Sequence, residues 1–250
     1  MTFDKPNPLR ITAVSYLNSM PFVYGIQHAG LMENYELKLE VPAACGQRMI
    51  NGEAEIGLIP VGVIPQIPHA KIITDYCIGA TGPVRSVLLL SYVPMEKIET
   101  VKLDPESATS VRLVKVLARH FWKREWIWKD GKDSAPLDPL REAIVMIGDK
   151  SIVAGVGYPF VYDLAEEWIR FTGFPFVFAA WITNRELDME IISRLDRSLQ
   201  FGVENRFRAL EAFRYTPVAG FDVVEYLNKN ISFNLDEKKK RGMELFLSYL

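Results

Sequence analysis

The strongest constraint on what this chain can fold into is a rhythm. Short apolar runs stop at small or polar residues and are followed by helical patterns, as in α/β domains whose sheets are covered by helices. Residues 9–14 lead into Ser15-Tyr16-Leu17-Asn18-Ser19, residues 37–41 form a second strand, and a short helix starts at 46–51. A third strand, 55–61, closes on Pro60 ahead of Pro65 and Pro68, and 72–77 and 84–91 complete a set of five. A proline and a change of rhythm at Val93-Pro94 open a second set. It has strands at 99–103, 125–128 and 143–147, then a long buried strand at 174–182. Ser107-Ala108-Thr109-Ser110 opens an amphipathic helix with Leu113, Val114, Leu117 and Phe121 on one side. After Asn184 the pattern is helical, and Leu187, Ile191, Leu195, Leu199, Val203 and Leu210 form a stripe that needs a sheet to cover.

These patterns predict two lobes joined by two crossings, near 91–95 and 178–184. Lobe 1 comprises 1–92 with 183–250, and lobe 2 comprises 93–182. A cleft between lobes is where small-molecule sites concentrate.

Composition narrows the class. With 250 residues, 49% hydrophobic and 24% charged, the chain is ordinary globular material and neither disordered, collagenous nor a disulfide scaffold. The 29 basic and 31 acidic residues nearly balance. The one charge run, Glu237-Lys238-Lys239-Lys240-Arg241, has no interleaved aromatics and reads as a solvated helix face, so no nucleic-acid partner is expected. Cys45 and Cys77 form no C-x-x-C pair and the three histidines are scattered, so no metal is expected. Met1-Thr2-Phe3-Asp4-Lys5-Pro6 lacks the apolar core of a secretory signal, and no apolar run approaches the roughly 20 residues that span a bilayer. The expectation is a soluble cytoplasmic protein without a membrane partner; a homodimer is left open. Asn230-Ile231-Ser232 matches a glycosylation sequon, which has no meaning in that compartment.

Motifs for common chemistries fail. Gly155-Val156-Gly157 runs into Tyr158-Pro159-Phe160, so the third small residue of a dinucleotide fingerprint is missing. Gly148-Asp149-Lys150-Ser151 has no glycine five residues earlier and is no phosphate cradle. No Gly-x-Ser-x-Gly and no His-Glu-x-x-His occurs. What remains is a set of strand-end loops rich in neutral hydrogen-bonding groups: Ser15, Asn18 and Ser19; Thr81, Arg85 and Ser86; Ser107, Thr109 and Ser110; and Asp149. Such loops at helix starts suit a small anion, above all a carboxylate. The simpler reading of Ser107 or Thr109 is a helix cap. If Ser86 faces the cleft, strand alternation turns Arg85 away. Tyr158 and Trp181 read first as packing residues.

Six blocks carry a family resemblance. They are Ser15-Tyr16-Leu17-Asn18-Ser19-Met20-Pro21-Phe22, Gly57-Leu58-Ile59-Pro60-Val61, Gly82-Pro83-Val84-Arg85-Ser86-Val87, Asp104 to Ser110, Gly148-Asp149, and Tyr162 to Trp168 with Thr172 to Ala179. In this order, over nearly the whole chain, they resemble the chorismate dehydratases of the futalosine route to menaquinone. The sister 1,4-dihydroxy-6-naphthoate synthases carry an opening loop resembling Ser-Pro-Cys-Pro-Asn-Asp, so Tyr16 to Asn18 favour the dehydratase. Ala108 and Lys150-Ser151 depart from the family pattern.

The resemblance implies a two-lobed fold like the periplasmic binding proteins of the two-crossing type. It also implies a carbon-oxygen lyase that converts chorismate to 3-[(1-carboxyvinyl)oxy]benzoate without a cofactor. Its catalytic residues would be Asn18, Ser86 and Asp149, with Ser15, Tyr16, Ser19, Ser107, Thr109, Ser110 and Gly148 binding substrate. Asn18 and Ser86 would hold the enolpyruvyl carboxylate. The base would be either that carboxylate or Asp149, which is otherwise a loop or helix anchor. A non-catalytic small-carboxylate receptor and the sister synthase stand as alternatives.

Overall fold

The computed structural model describes residues 7–132 and 136–250; the Met1–Pro6 segment considered above lies outside them. Two mixed sheets organise the chain. The first contains β1 (Leu9–Val14), β2 (Tyr35–Glu40), β3 (Ile56–Pro60), β4 (Lys71–Ala80), β10 (Phe176–Thr183) and β11 (Ser232–Asn234) in the order β11-β4-β10-β3-β1-β2. The second contains β5 (Val87–Ser91), β6 (Thr100–Leu103), β7 (Ile127–Asp130), β8 (Glu142–Ile147) and β9 (Phe160–Asp163) in the order β7-β6-β8-β5-β9. Central strands β3, β5 and β10 are buried along their whole length, whereas edge strand β2 alternates toward solvent. That is the contrast expected of strands covered on both faces and on one.

Sheet membership moves the expected boundaries. Residues 84–91, placed with the first lobe by their rhythm, supply β5 to the second sheet, where it pairs antiparallel with β8 and β9. Residues 174–182, placed with the second, supply β10 to the first sheet between β3 and β4. The chain therefore passes between sheets at 81–86 and 173–175. An apolar run buried on both faces carries no alternation that says which neighbours it pairs with. The C-terminal region is also not wholly helical, since β11 adds an edge strand beside β4.

Helices cover both sheets: α1 (Met20–His28), α2 (Pro42–Ile50), α3 (Thr109–Val116), α4 (Asp149–Ala154), α5 (Leu164–Thr172), α6 (Met189–Glu204), α7 (Arg206–Ala212), α8 (Val223–Glu225) and α9 (Glu237–Leu247). A π-helical turn, Tyr226–Asn230, prolongs α8. The predicted 187–213 stripe is realised by α6 and α7, and α6 packs on α1 through paired glycines. A Cβ on Gly25 would stand 2.0 Å from the Ser198 carbonyl oxygen, and one on Gly202 would stand 1.9 Å from that of Pro21. Trp181 is fully buried; Tyr158 is half-buried against Tyr92 at 4.7 Å between rings. The charge run on α9 is not all solvated: Lys239 is 1% exposed and folds back onto Asp236 at 2.8 Å, one helical turn away. Among the described residues, no helix is long and apolar enough to cross a membrane.

Candidate active site

The cleft lies where both crossings meet the strand ends. Its walls are Val14, Tyr16, Asn18 and Pro42 from the β1 and α2 side, Pro60, Ile78, Phe178 and Ala179 from the first sheet's core, Val84 and Ser86 from the 81–86 crossing, and Val87 from the start of β5. Ser107, Ala108, Thr109, Ser110, Ile147 and Gly148 complete it from the second sheet. It is narrow: a water-sized sphere has about 50 Å³ of room in it. Apolar groups form most of the wall, and among the described residues no Lys, Arg or His lines it.

Of the residues singled out by sequence, Tyr16, Asn18, Ser86, Ser107, Thr109, Ser110 and Gly148 line the cleft; Ser15, Ser19 and Asp149 do not. Ser19 is buried, and its hydroxyl donates to the Val14 and Tyr16 carbonyls, closing the turn from β1 into α1. Ser15 is exposed and bonds through its N–H to the Glu40 carbonyl. The Thr109 hydroxyl donates to Phe178 O at 3.0 Å and accepts from Gly62 N at 3.2 Å, so it ties α3 to the first sheet rather than facing a ligand. Ser107 Oγ accepts the Ser110 N–H at 3.1 Å, the capping role.

Asp149 stands at the rim. Its residue surface is exposed, but its carboxylate turns to the Leu17 N–H at 3.2 and 3.4 Å and so joins the second-sheet side to the opening loop. Desolvation holds this carboxyl above the usual aspartate range, opposed by the Leu17 hydrogen bond. Beside it, Tyr16 Oη donates to Glu106 at 2.8 Å, and Lys150 Nζ contacts Glu106 at 2.7 Å and the buried Asp104 at 3.0 Å. The Lys150 hydrogen bond keeps the Glu106 carboxyl below its usual range, while burial and then Glu106 push the Tyr16 hydroxyl well above its own. The Tyr16 ring lies over Gly148, where an added Cβ would meet it at 2.8 Å. Gly148 has φ +67° and ψ −159°, a conformation that essentially only glycine adopts.

Ser86 is 1% exposed and sits at the end of the crossing just before β5. Three contacts hold that loop: Asn230 Nδ2 on Pro83 O at 2.8 Å, Arg85 N on Asp163 Oδ2 at 2.6 Å, and Gly148 N on Ser86 O at 2.9 Å. Arg85 does point out, toward Glu225 at 3.6 Å. Its left-handed φ of +62° turns it there, ahead of the strand whose alternation suggested the same. The Ser86 Oγ accepts from Tyr226 Oη at 2.8 Å, and its own hydrogen has only a marginal partner, Val84 O at 3.5 Å. Sequence reading missed Tyr226 and Asn230: they lie about 140 residues from Ser86 in a segment with no motif.

Comparison with known proteins agrees with this architecture. Solved structures that share the fold include a protein from Archaeoglobus fulgidus (TM-score 0.74, 17% identity, 96% of this chain and 95% of that one). Another is a Candida albicans protein described as having the generic periplasmic binding protein fold (TM-score 0.69, 12% identity, 97% and 89%). A third is the alkanesulfonate-binding protein of Xanthomonas axonopodis pv. citri (TM-score 0.62, 11% identity, 99% and 92%). The chain thus has the two-lobed binding-protein fold. In sequence it is 25% identical over 264 aligned positions to the chorismate dehydratase of Thermus thermophilus, covering 94% of this chain and 92% of that protein. A family model described as menaquinone biosynthesis matches residues 9–250, and the chain belongs to that family.

Proposed function

We propose that this protein is a chorismate dehydratase: a carbon-oxygen lyase that removes water from chorismate to give 3-[(1-carboxyvinyl)oxy]benzoate, acting in the cytoplasm. The observation that carries the reading is the character of the cleft. It is apolar enough for a carbocyclic ring, and its inward donors, Asn18 and Ser86, are neutral.

Loss of the ring hydroxyl with the neighbouring ring hydrogen makes the ring aromatic. That hydrogen is vinylogous to the ring carboxylate, so its removal spreads charge toward a group that donors must stabilise. The enolpyruvyl carboxylate is tethered beside the same hydrogen. An arginine on it would hold its basicity down, whereas neutral donors in an apolar wall leave it desolvated and more basic. Held by Asn18 and Ser86, it takes the ring proton, and the C–O bond then breaks. The departing hydroxide leaves with one proton as water, and the carboxylate is regenerated. Asp149 is an anchor in this scheme, since its carboxylate is engaged by the Leu17 N–H and stands outside the cleft wall. Ser110 and the start of α3, with Ser107 as cap, are the donors available to the ring carboxylate.

The reading is tested by incubating purified protein with chorismate and following the mixture by mass spectrometry. The expected product is one water lighter and keeps both carboxyl groups. Saturable binding with no loss of water would move the assignment to a small-carboxylate receptor.

A further inference from the structure

With room for only a few waters, the cleft admits a carbocyclic dicarboxylate only when its two walls part. Three contacts at the rim hold those walls together, each between the β1–α2 side of the first sheet and a loop of the second. Tyr16 Oη donates to Glu106 Oε2 at 2.8 Å, the Ala43 N–H at the start of α2 donates to Glu106 O at 3.1 Å, and the Leu17 N–H donates to Asp149 Oδ1 at 3.2 Å. Glu106 accepts two of the three, one through its side chain and one through its backbone, and is itself held from behind. The buried Asp104 carboxylate accepts the N–H groups of Glu106 and Ile147, both at 3.1 Å, and Lys150 Nζ lies 2.7 Å from Glu106 and 3.0 Å from Asp104. The Lys150 hydrogen bond keeps the Glu106 carboxyl ionised, so Tyr16 donates to a charged acceptor, the stronger kind of bond. Tyr16 and Leu17 immediately precede Asn18, so the rim is joined to a cleft donor through one peptide link. At the base the connection is different: the buried Thr109 hydroxyl ties Gly62 N to Phe178 O, just beyond the 173–175 crossing.

We propose that Glu106 is a positioning residue, the keeper of a latch across the cleft: it holds the opening loop against the second sheet, and Asn18 takes its place in the wall only while the latch is shut. This rests on the dehydratase reading and deepens it. Glu106 stands outside the cleft wall and acts through Tyr16. Substrate entry breaks the rim bonds and closing restores them. Weakening the latch therefore lowers the closed fraction, which appears first as a raised KM and reaches kcat only when the closed complex is no longer the major form.

A latch opens as one unit, and amide exchange reads that without turnover. In ligand-free ¹⁵N-labelled protein, NMR should show the Leu17, Ala43 and Gly62 amides all protected. Tyr16→Phe removes one hydroxyl and leaves the acceptors of all three amides in place. It should speed exchange at Leu17 and Ala43 by a common factor of roughly 3- to 10-fold, and leave Gly62, at the base, within about 1.5-fold. Glu106→Ala should do at least as much, and Glu106→Gln, which keeps an acceptor without the charge, should fall between it and wild type. An Ala43 amide unmoved by Tyr16→Phe makes the contacts independent and overturns the latch; a Gly62 amide that speeds equally means the whole fold has loosened and overturns it too. With chorismate, Glu106→Ala should lower kcat/KM by roughly 3- to 10-fold, mainly through KM, and by less than about 2-fold in a Tyr16→Phe background. Losses that multiply fully overturn the proposal. Wild type that binds chorismate without dehydrating it would sink the dehydratase reading, and the exchange rates would still decide the latch.

Discussion

Replacing Gly148 by alanine probes the joint between the opening loop and the second sheet. At φ +67° and ψ −159° an L-residue pays about 1–3 kcal/mol of backbone strain. The new methyl would also stand 2.8 Å from the Tyr16 ring, against the roughly 3.5–4.0 Å of a relaxed carbon contact, so the ring must move. Moving it stretches the 2.8 Å hydrogen bond from Tyr16 to Glu106. That bond is half-exposed and contributes at the low end of the range for charged acceptors, about 1 kcal/mol. The sum is about 2–4 kcal/mol, or a Tm lower by roughly 4–16 °C for a chain of this size. Because Tyr16 forms part of the cleft wall, KM for chorismate should rise as well. Differential scanning calorimetry and steady-state kinetics on the purified variant test both. A Tm within 1 °C of wild type with unchanged KM would refute the argument that this backbone and this ring are mutually fitted.

Other substitutions separate the remaining roles. Asn18→Ala and Ser86→Ala should each lower kcat/KM by about 10- to 150-fold, the cost of a hydrogen bond to a charged group, with circular dichroism spectra unchanged. Asp149→Asn should keep turnover within about 10-fold, whereas loss of a protein general base would cost roughly 10²–10⁴. The Asp149 carboxyl is held high by desolvation, so the stability linked to its proton is complete below the unfolded value of about 3.9 and is lost as pH rises through the folded value. The Tm of Asp149→Asn relative to wild type should therefore climb as pH rises from about 4, and thermal melts showing it fall would contradict that. Gly202→Ala must part α1 from α6, since its Cβ would meet backbone and not a movable side chain. A loss of about 3 kcal/mol or more is expected, read by urea unfolding.

Residues that act through local chemistry were legible in the sequence. The opening loop, the Ser107 cap and the glycine ahead of Asp149 each announce a turn or helix start, and all three surround the cleft. Three kinds of feature were not legible. Strands 84–91 and 174–182 are apolar throughout, so hydropathy marks them as buried but is silent on which sheet they join. β11 has three residues, too few for any period to show. Tyr226 and Asn230 matter because folding lays a C-terminal turn on a loop far upstream, a relation with no local signal. Hydroxyls that looked alike in sequence also differ in employment: Ser19 and Thr109 serve the backbone, while Ser86 keeps a hydrogen to offer.

The most direct test of the account is a proton NMR time course of wild-type protein with chorismate, run beside the Asn18→Ala/Ser86→Ala variant. The account predicts that wild type replaces the ring-diene signals by those of a single meta-substituted benzoate that keeps its enolpyruvyl group, with the double variant slower by at least about 100-fold. Diene signals that broaden on binding but persist, or a double variant as fast as wild type, would contradict it.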